Sequence, residues 1–339
     1  MPVNAYNYQY ANYHRQISNY CSRRKWIFLI ALISCVVCIV LLTRHPSIEN
    51  NTTVRDTYLD DVPADLYQTV LHTWYNFSNG EKWYNKKNIS ALSPEAFHDL
   101  LTDIQQNWMI WNHDPDEPYE LQEPDVEDPS MGQSTVIREI FNDTKNGFFI
   151  ECGAYDGEMR SNTLFLERFN GWSGLLIEAD PINFTKMLQK NRKAYLSPTC
   201  LSVTKSPTVA SFLMARNIGR LHEPENTTEN APAENTLDVA YTGEHIRVQC
   251  LPLTLYIAAL GVKTVDYFSL DIEGNEIDVL ETIPFNEVDI KALSVEYIHN
   301  AKGRKYLIDM MDHRGYYVYS FVNHPDNLAN DIIFVKRNT

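Results

Sequence analysis

The chain has 339 residues, of which 29 are Lys or Arg and 44 are Asp or Glu, giving a formal net charge of −15 at pH 7. This acidic balance argues against nucleic-acid binding, which normally requires a basic surface that neutralises phosphates. The hydrophobic fraction of 44% is that of a globular chain and excludes wholesale disorder. The charge is also uneven, because residues 1–25 hold four basic residues and no acid.

An uncharged apolar run of seventeen residues, 26–42, follows the basic segment. Its length reaches the lower limit of about 17 residues for a membrane-spanning helix and exceeds the roughly 7–15 apolar residues of a signal peptide. Arg23, Arg24 and Lys25 precede it directly, so the positive-inside rule predicts a cytosolic N-terminus. We predict a disordered cytosolic tail over residues 1–25 and an uncleaved signal anchor over 26–42. A cleaved signal peptide or a buried core helix is the alternative.

Glycosylation sequons occur only after this run, in agreement with a lumenal location for the bulk of the chain. They begin at Asn50, Asn51, Asn76, Asn88, Asn142, Asn183 and Asn226. All of these except Asn50 are predicted glycan acceptors.

Three cysteines follow the apolar run. Cys152 falls within a predicted strand-turn motif, where a buried thiol is expected. Cys200 and Cys250 are therefore candidates for a disulfide, which these positions alone leave open.

Residues 43–133 are predicted to form a lumenal stem. Apolar residues have helical spacing over 64–75 and 94–111. The acid-rich segment 114–128 contains three prolines, which prevent a helix, so a solvated linker is favoured there over a metal site.

From residue 134 to 339, short β-rich runs alternate with helical segments. Strands are predicted at 147–151, 174–177, 194–203, 209–214, 265–270, 292–296, 316–320 and 332–335. Helices are predicted at about 160–168, 181–192, 252–260, 275–282 and 301–313. This alternation predicts an α/β domain with a doubly wound, mainly parallel sheet, and the last two strands are expected to form an antiparallel edge hairpin. The polar stretch 217–243 is predicted to be a surface loop.

The first chemical motif, FFIECGAYDG, is an apolar strand that ends at Glu151 and is followed by Gly153 and Gly157. Such a turn presents backbone N–H groups and a concavity at the carboxyl end of the first strand. The spacing differs from that of dinucleotide-binding turns and suits a nucleoside ligand without a pyrophosphate. An ordinary strand-to-helix turn is the alternative.

The second motif, GLLIEADP, places Glu178 at the end of the next strand, twenty-one residues after Gly157. An acid at this position can accept the hydroxyl groups of a ribose, although a solvated surface acid is the simpler interpretation. Asp180 and Pro181 are predicted to begin the following helix as its N-cap and first residue. Together the two motifs favour a nucleoside-binding crevice.

The third motif, FSLDIEGNE, delivers Asp271 and Glu273 to the same edge of the predicted sheet, and Glu296 and His299 end the next strand. The two acids can orient a substrate hydroxyl, act as a general base or bind a cation, and otherwise they cap the following helix. We predict Asp271, Glu273 and His299 as catalytic residues and predict no metal ion.

These segments resemble a known enzyme family. FIECGAYDG, GLLIEADP, FSLDIEGNEIDVL and LSVEYIHN are similar, in this order, to consecutive motifs of the FkbM-type S-adenosylmethionine-dependent methyltransferases, over about residues 134–339. The resemblance implies a Rossmann-like fold of the class I methyltransferase type and methyl transfer to hydroxyl oxygens, often of sugars or natural products. Where the family carries a basic residue two positions before Asp271, this chain has Ser269.

The same resemblance implies the roles of the site residues. Glu151, Gly153 and Gly157 are expected at the cofactor and Glu178 at its ribose. Asp271 and Glu273 are expected to face the substrate.

The whole chain also resembles the Star family, through the basic tail, the single anchor and the segments SNTLFLE, PTCLSV, CLPLTLYIAALG and VDYFSLDIEG. This resemblance implies a type II membrane protein of the endoplasmic reticulum and Golgi membrane, with the endosome or plasma membrane as further locations. It also implies a disulfide between Cys200 and Cys250. Its implied role is the export of membrane-bound growth-factor precursors from the endoplasmic reticulum to the Golgi.

Two classes of function follow, of which the first is our prediction and the second is the alternative. In the first, the methyltransferase-like domain holds a membrane-protein cargo, and binding of S-adenosylmethionine is weak or lost. In the second, the domain is an active O-methyltransferase for hydroxyls of lumenal glycans or other small substrates. The second requires a transporter, since a charged cofactor does not cross a bilayer unaided.

Overall fold

A seven-stranded sheet forms the centre of the structure, a computed structural model. The structure describes residues 62–76, 84, 88–111, 116–222, 243–324 and 329–337, all within one compact unit that spans 58–339. The predicted tail, the predicted anchor and two predicted glycan acceptors, Asn51 and Asn226, lie outside these residues. Within the described ranges, none of the helices combines the length and the apolar character that crossing a membrane requires.

The regular elements are numbered here in chain order. The helices are α1 Ala64–Val70, α2 Pro94–Asn107, α3 Gln133–Phe141, α4 Leu164–Asn170, α5 Pro181–Leu188, α6 Leu253–Leu260, α7 Glu276–Thr282 and α8 Gly303–His313. The strands are β1 Phe148–Cys152, β2 Ser173–Ile177, β3 Tyr195–Ser197, β4 Cys200–Leu201, β5 Thr208–Met214, β6 Arg220–Leu221, β7 Glu244–Leu251, β8 Thr264–Leu270, β9 Asp289–Glu296, β10 Tyr316–Asn323 and β11 Asn330–Lys336. A π-helical turn, Leu71–Tyr75, continues α1.

The strand order of the main sheet is β10-β11-β9-β8-β1-β2-β3. Strands β3, β2, β1, β8 and β9 are parallel, whereas β11 runs antiparallel to both β9 and β10. The structure therefore confirms a mixed α/β, Rossmann-like fold with a mostly parallel sheet and an antiparallel hairpin at one edge. The chain direction across the sheet reverses between β1 and β8, and ligands of open α/β sheets bind outside the carboxyl ends of the strands at such a point.

The central strands are apolar on both faces because helices cover both sides of the sheet. Phe149 and Ile150 of β1 and Leu175 and Leu176 of β2 are fully buried. This burial makes the two strands read as continuous apolar runs, so the sequence predicts them to within one residue at each end.

A second sheet, with the order β4-β7-β5-β6, adjoins the main fold. Cys200 of β4 and Cys250 of β7 are register partners and form a disulfide, which confirms that prediction, and Cys152 is a buried free thiol as expected. The predicted single strand 194–203 is wrong: it is divided into β3 and β4 around Pro198, which has no N–H for a ladder. Strand β7 was not predicted.

The helices of the predicted stem pack into the core of this unit. Leu100 and Ile104 of α2 and the following Trp108 are at most 3% exposed and belong to the main apolar cluster. Ile110 then exchanges two backbone hydrogen bonds with Leu196 of β3, which extends the sheet edge by an isolated bridge. The region before residue 134 therefore shares its hydrophobic core with the sheet.

The acid-rich segment lies against the same unit, whereas the sequence predicts a solvated linker. The backbone N–H groups of Gln122 and Glu123 donate to the Glu158 carboxylate at 2.8 and 2.7 Å. Arg168 donates to the carbonyl oxygens of Pro124 and Val126. The prolines prevent a helix, and this leaves the backbone groups available for contacts with the domain.

Candidate functional site

Two neighbouring cavities open at the carboxyl ends of the parallel strands. The smaller, about 80 Å³, lies beside Glu178, and the larger, about 400 Å³, is lined by Glu273, Glu296 and His299. Gly153 and Asp271 line both cavities, so the two meet where the sheet reverses direction. The predicted nucleoside crevice and the predicted substrate side thus lie next to each other.

Gly153 occupies the crossing between the loops that follow β1 and β8. Its φ is 79°, and a Cβ atom would lie 1.8 Å from the carbonyl oxygen of Asp271. The glycine is therefore required by a contact between two backbones, and it also lines both cavities. At Gly157 the obstacle is a side chain, since a Cβ would lie 2.8 Å from Cγ of Met187.

Glu178 ends β2 and is 6% exposed. Its two carboxylate oxygens each accept one backbone N–H, from Tyr155 and from Asp180, both at 2.8 Å. Burial, followed by the neighbouring Asp180 carboxylate, raises the pKa of Glu178 to about 8. Each oxygen can accept a second hydrogen bond, so the group retains capacity for the ribose hydroxyls that the sequence predicts there.

Glu151 ends β1 and is almost fully engaged with its own chain. Its carboxylate accepts hydrogen bonds from the Ser161 hydroxyl at 2.9 Å, the Asn162 N–H at 2.8 Å and the Thr163 hydroxyl. Burial raises the pKa of Glu151, and nearby Arg192 opposes that rise. These bonds organise the loop after β1, so the next helix begins at Leu164 rather than at residue 160 as predicted.

Asp271, Glu273 and His299 come together as the sequence predicts. His299 Nδ1 lies 2.8 Å from an Oε atom of Glu273 and 2.9 Å from one of Glu296. Glu273 has a φ of 60°, and backbone strain of this kind often accompanies functional sites. The tip of β8 and the tip of β9 thus hold a cluster of carboxylates around one imidazole.

Two further acids complete this cluster and were not assigned a role from sequence. Glu276, at the start of α7, is fully buried and accepts hydrogen bonds from the N–H groups of Ile272 and Gly274 at 3.0 and 2.9 Å. Asp331, near the start of antiparallel β11, is 2% exposed and accepts from the Gln133 amide. An antiparallel strand begins at the edge where parallel strands end, and this reversal is the signal that locates Asp331.

Burial and like-charged neighbours disfavour the ionised forms of the carboxyl groups in this cluster. Burial raises the pKa values of Glu276 and Asp331 to about 7 and about 6, and it raises those of Asp271 and Glu296 well above their ordinary values. Like-charged neighbours add to the shifts of Asp271 and Glu296. Burial lowers the pKa of His299, but the adjacent Glu273 outweighs this and the net shift is upward.

Ser269 takes the place of the basic residue expected from the family resemblance. It is buried on β8 and accepts a hydrogen bond from the Asn162 amide at 2.9 Å and from the Ser294 hydroxyl at 3.2 Å. Tyr267 in turn contacts Ser294 at 2.7 Å. A neutral hydrogen-bond network therefore lies between β1 and β9 at this point.

The predicted glycan acceptors differ in how far their side chains are exposed to solvent. Asn76, Asn88 and Asn142 are exposed. Asn183 is 1% exposed on α5, lines the smaller cavity and donates to the Arg216 carbonyl oxygen. A glycan on Asn183 is incompatible with this packing, so that prediction is wrong, because a sequon carries no information about burial.

Comparison with known proteins agrees with the fold. Residues 151–318 match the family described as Methyltransferase FkbM domain. This segment contains Gly153 and Glu178 together with the acids at the tips of β8 and β9, which are Asp271, Glu273 and Glu296. A search of the curated proteins found no match to the sequence.

Among solved structures, a METTL16 MTase domain shares 10% identity, with 83% of this chain and 95% of that chain covered and a TM-score of 0.38. The N-terminal domain of human METTL16 in complex with SAH shares 11% identity, with coverage of 84% and 98% and a TM-score of 0.34. A putative RNA methyltransferase from Pyrococcus horikoshii shares 10% identity, with coverage of 71% and 99% and a TM-score of 0.32. At these values the likeness says nothing about the substrate of this chain.

The sheet order and the crevice at its reversal point define a Rossmann-like α/β fold. The segment that matches the methyltransferase FkbM domain, residues 151–318, is just under half of the chain.

Proposed function

We propose that this protein is an S-adenosylmethionine-dependent O-methyltransferase. The observation that carries the proposal is the junction of the two cavities at Gly153 and Asp271, inside the FkbM-matched segment. One cavity contains Glu178, a carboxylate placed for a ribose, and the other contains proton-accepting groups. Methyl transfer to a hydroxyl requires a nucleoside cofactor beside an acceptor in this way.

The residues beside the smaller cavity fit a nucleoside. Glu178 is buried without a counter-ion among the described residues, and hydroxyl donors from a ribose would stabilise its charged form. When bound, S-adenosylmethionine supplies an electrophilic methyl group. Glu178 and the loop after β1 bind and orient the nucleoside end.

We assign Asp271 the role of proton acceptor because it lines both cavities and, unlike Glu273, which also lines both, is not paired with His299. As a bound methyl donor alkylated the acceptor hydroxyl, the proton of that hydroxyl would pass to the Asp271 carboxylate. In the cation-free protein, burial raises the pKa of Asp271, which makes its carboxylate a stronger base than an exposed one. Glu273 and Glu296 position His299 at the acceptor side of the same cavity.

Calorimetry with S-adenosylmethionine tests the proposal. We expect saturable binding to the full chain, purified in mild detergent because of the apolar run 26–42. Glu178→Ala is expected to weaken binding at least about tenfold, the equivalent of 1.4 kcal/mol. Glu139→Gln, on the exposed side of α3, is the matched control and should bind as the parent does.

Turnover is tested separately with isotopically labelled methyl donor and a panel of glycans and other hydroxyl compounds. Label should enter an acceptor with the parent chain, and Asp271→Asn should bind the donor while losing transfer. Absence of donor binding would overturn the enzyme proposal and favour a domain that only binds cargo.

We also retain as proposals the type II orientation and the lumenal placement, which rest on the basic segment and the apolar run. A role in exporting membrane-bound growth-factor precursors stays a prediction from the Star resemblance. Protease protection of the chain in microsomes tests the orientation, since a lumenal bulk is shielded until detergent is added.

A further inference from the structure

Two sets of side chains at the tips of β8 and β9 present potential ligand atoms within 4.8 Å of one another. One set is Glu273, Glu296 and His299, and the other is Asp271, Glu276 and Glu296. Glu296 belongs to both. Ligands on opposite sides of an ion with bonds of about 2.4 Å lie about 4.8 Å apart, so each set is compact enough to share one cation.

Buried oxygen atoms without partners point to a missing ligand. Glu276 is fully buried, and the N–H groups of Ile272 and Gly274 both donate to its Oε1, whereas its Oε2 has no hydrogen-bond partner. Glu296 is 6% exposed, and its Oε2 also lacks a hydrogen-bond partner, as does Oδ1 of Asp271. A buried ionised oxygen left in this state costs several kcal/mol unless its charge is compensated.

The described residues bring more carboxyl groups than cationic groups to this cluster, although buried Arg220 is near enough to His299 to lower its pKa. Five carboxyl groups, those of Asp271, Glu273, Glu276, Glu296 and Asp331, interact electrostatically, and two of them, Glu273 and Glu296, contact His299. Among the described parts of the chain, none of the five forms an ion pair with Lys or Arg, and only Glu273 and Glu296 pair with His299. A divalent cation would compensate two of these charges and satisfy the unpartnered oxygens together.

We propose that Asp271, Glu273, Glu276, Glu296 and His299 form a binding site for a divalent cation of the Mg²⁺, Ca²⁺ and Mn²⁺ class. Carboxylate oxygens are the preferred ligands of these ions, and the single imidazole is best matched by Mn²⁺. A zinc site would contain more nitrogen or sulfur ligands.

The site faces the larger cavity, since Asp271, Glu273, Glu296 and His299 all line it. A cation there would contact a hydroxyl acceptor and lower the pKa of that hydroxyl. This consequence rests on the proposed methyl transfer, whereas cation binding does not. The test therefore uses the chain without cofactor or acceptor.

The experiment is a Mn²⁺ titration of the detergent-purified full chain, followed by the electron paramagnetic resonance signal of free Mn²⁺. We expect saturable binding with a dissociation constant below about 1 mM. Ca²⁺ or Mg²⁺ should displace Mn²⁺. Thermal melting in the presence of Mn²⁺ should show a rise in melting temperature.

Glu296→Gln removes the ligand common to both sets and is expected to weaken Mn²⁺ binding at least about tenfold. Without metal it should melt at or above the temperature of the parent, because it removes one charge from a repelling cluster. Glu281→Gln is the matched control, since Glu281 lies on α7 but bonds to Lys302 and Tyr306 outside the cluster.

His299→Gln provides a second variant in case Glu296→Gln does not fold, and it should also weaken binding. The proposal is overturned if the folded parent shows no saturable Mn²⁺ binding in the millimolar range. Equal Mn²⁺ affinity in the parent and in a folded cluster variant would overturn it as well. If the parent chain binds Mn²⁺ but does not bind S-adenosylmethionine, the methyltransferase proposal is refuted and the cation-site proposal stands.

Discussion

At the scale of single residues, Gly153 shows how closely two backbones approach at the site. The positive φ of 79° disfavours any L side chain, and the Asp271 carbonyl oxygen occupies the position of a Cβ. The same contact places Asp271, the proposed proton acceptor, beside the loop that follows β1.

Gly153→Ala is expected to destabilise the protein by roughly 3 kcal/mol or more, because it adds a steric clash to an unfavourable φ. Gly261→Ala is the matched control: Gly261 has a φ of 65° after α6, but nothing lies within 4 Å of its Cβ position. Its expected cost is about 1 kcal/mol. Denaturant melts measure both, and equal losses would contradict the backbone-contact explanation.

The raised pKa of Glu178 predicts that the stability of the protein depends on pH. Its folded pKa of about 8 lies above the ordinary value of 4.5, so the native chain keeps a proton that the unfolded chain releases. Its contribution to stability is therefore complete at low pH and declines as pH rises from 4.5 to about 8.

Glu178→Gln carries no titrating proton, so it should gain stability relative to the parent as pH rises, by as much as about 4 kcal/mol. Urea melts of both proteins at pH 5.5 and pH 8.5 would measure this difference. Parallel pH profiles for the two proteins would show that Glu178 is already ionised in the native state at neutral pH.

At the scale of elements, the sequence places the central strands β1, β2 and β8 to within one residue at each end and misses β7. Burial makes β1 and β2 read as apolar runs, and β8 has a mainly apolar sequence in which Asp266 and Ser269 are polar. In strand β7, which follows a polar stretch, the apolar residues Ile246, Val248 and Cys250 alternate with polar ones before the apolar last residue, Leu251. This alternation can be read from the sequence, but the antiparallel pairing of β7 with β5 is known only from the fold.

The second sheet depends on the disulfide between β4 and β7. The bridge joins residues 50 apart in sequence, so it restricts the unfolded chain substantially. Replacing both Cys200 and Cys250 by Ser is expected to lower the free energy of unfolding by about 4 kcal/mol, on the chain-entropy estimate for such a loop. Melts of the parent with and without reductant should show the same loss, and Cys152→Ser supplies the control for thiol replacement.

At the scale of the whole molecule, the core extends beyond the FkbM-matched segment. Helix α2 contributes Leu100 and Ile104 to the main apolar cluster, and burial of each such side chain stabilises by about 1.5–3 kcal/mol. The boundary predicted at residue 134 therefore lies within a unit that folds around one core.

Truncation tests this consequence. Residues 58–339 are expected to give a cooperative thermal transition, whereas residues 134–339 are expected to aggregate because the surface under α2 becomes exposed. Size-exclusion chromatography and thermal melting distinguish the two. A stable, monomeric 134–339 would instead support an independent stem.

Sequence by itself determined the α/β class, the parallel core strands and three of the sheet tips that carry chemistry. It could do so because buried parallel strands are locally apolar and an acid (Glu151, Glu178 or Asp271) interrupts each run within one residue of the carboxyl end of the strand. The −15 charge indicated an acidic protein but did not show where acids converge. Only the tertiary structure decided that Asp331 joins Asp271 and that Asn183 is buried, because both depend on contacts between segments distant along the chain.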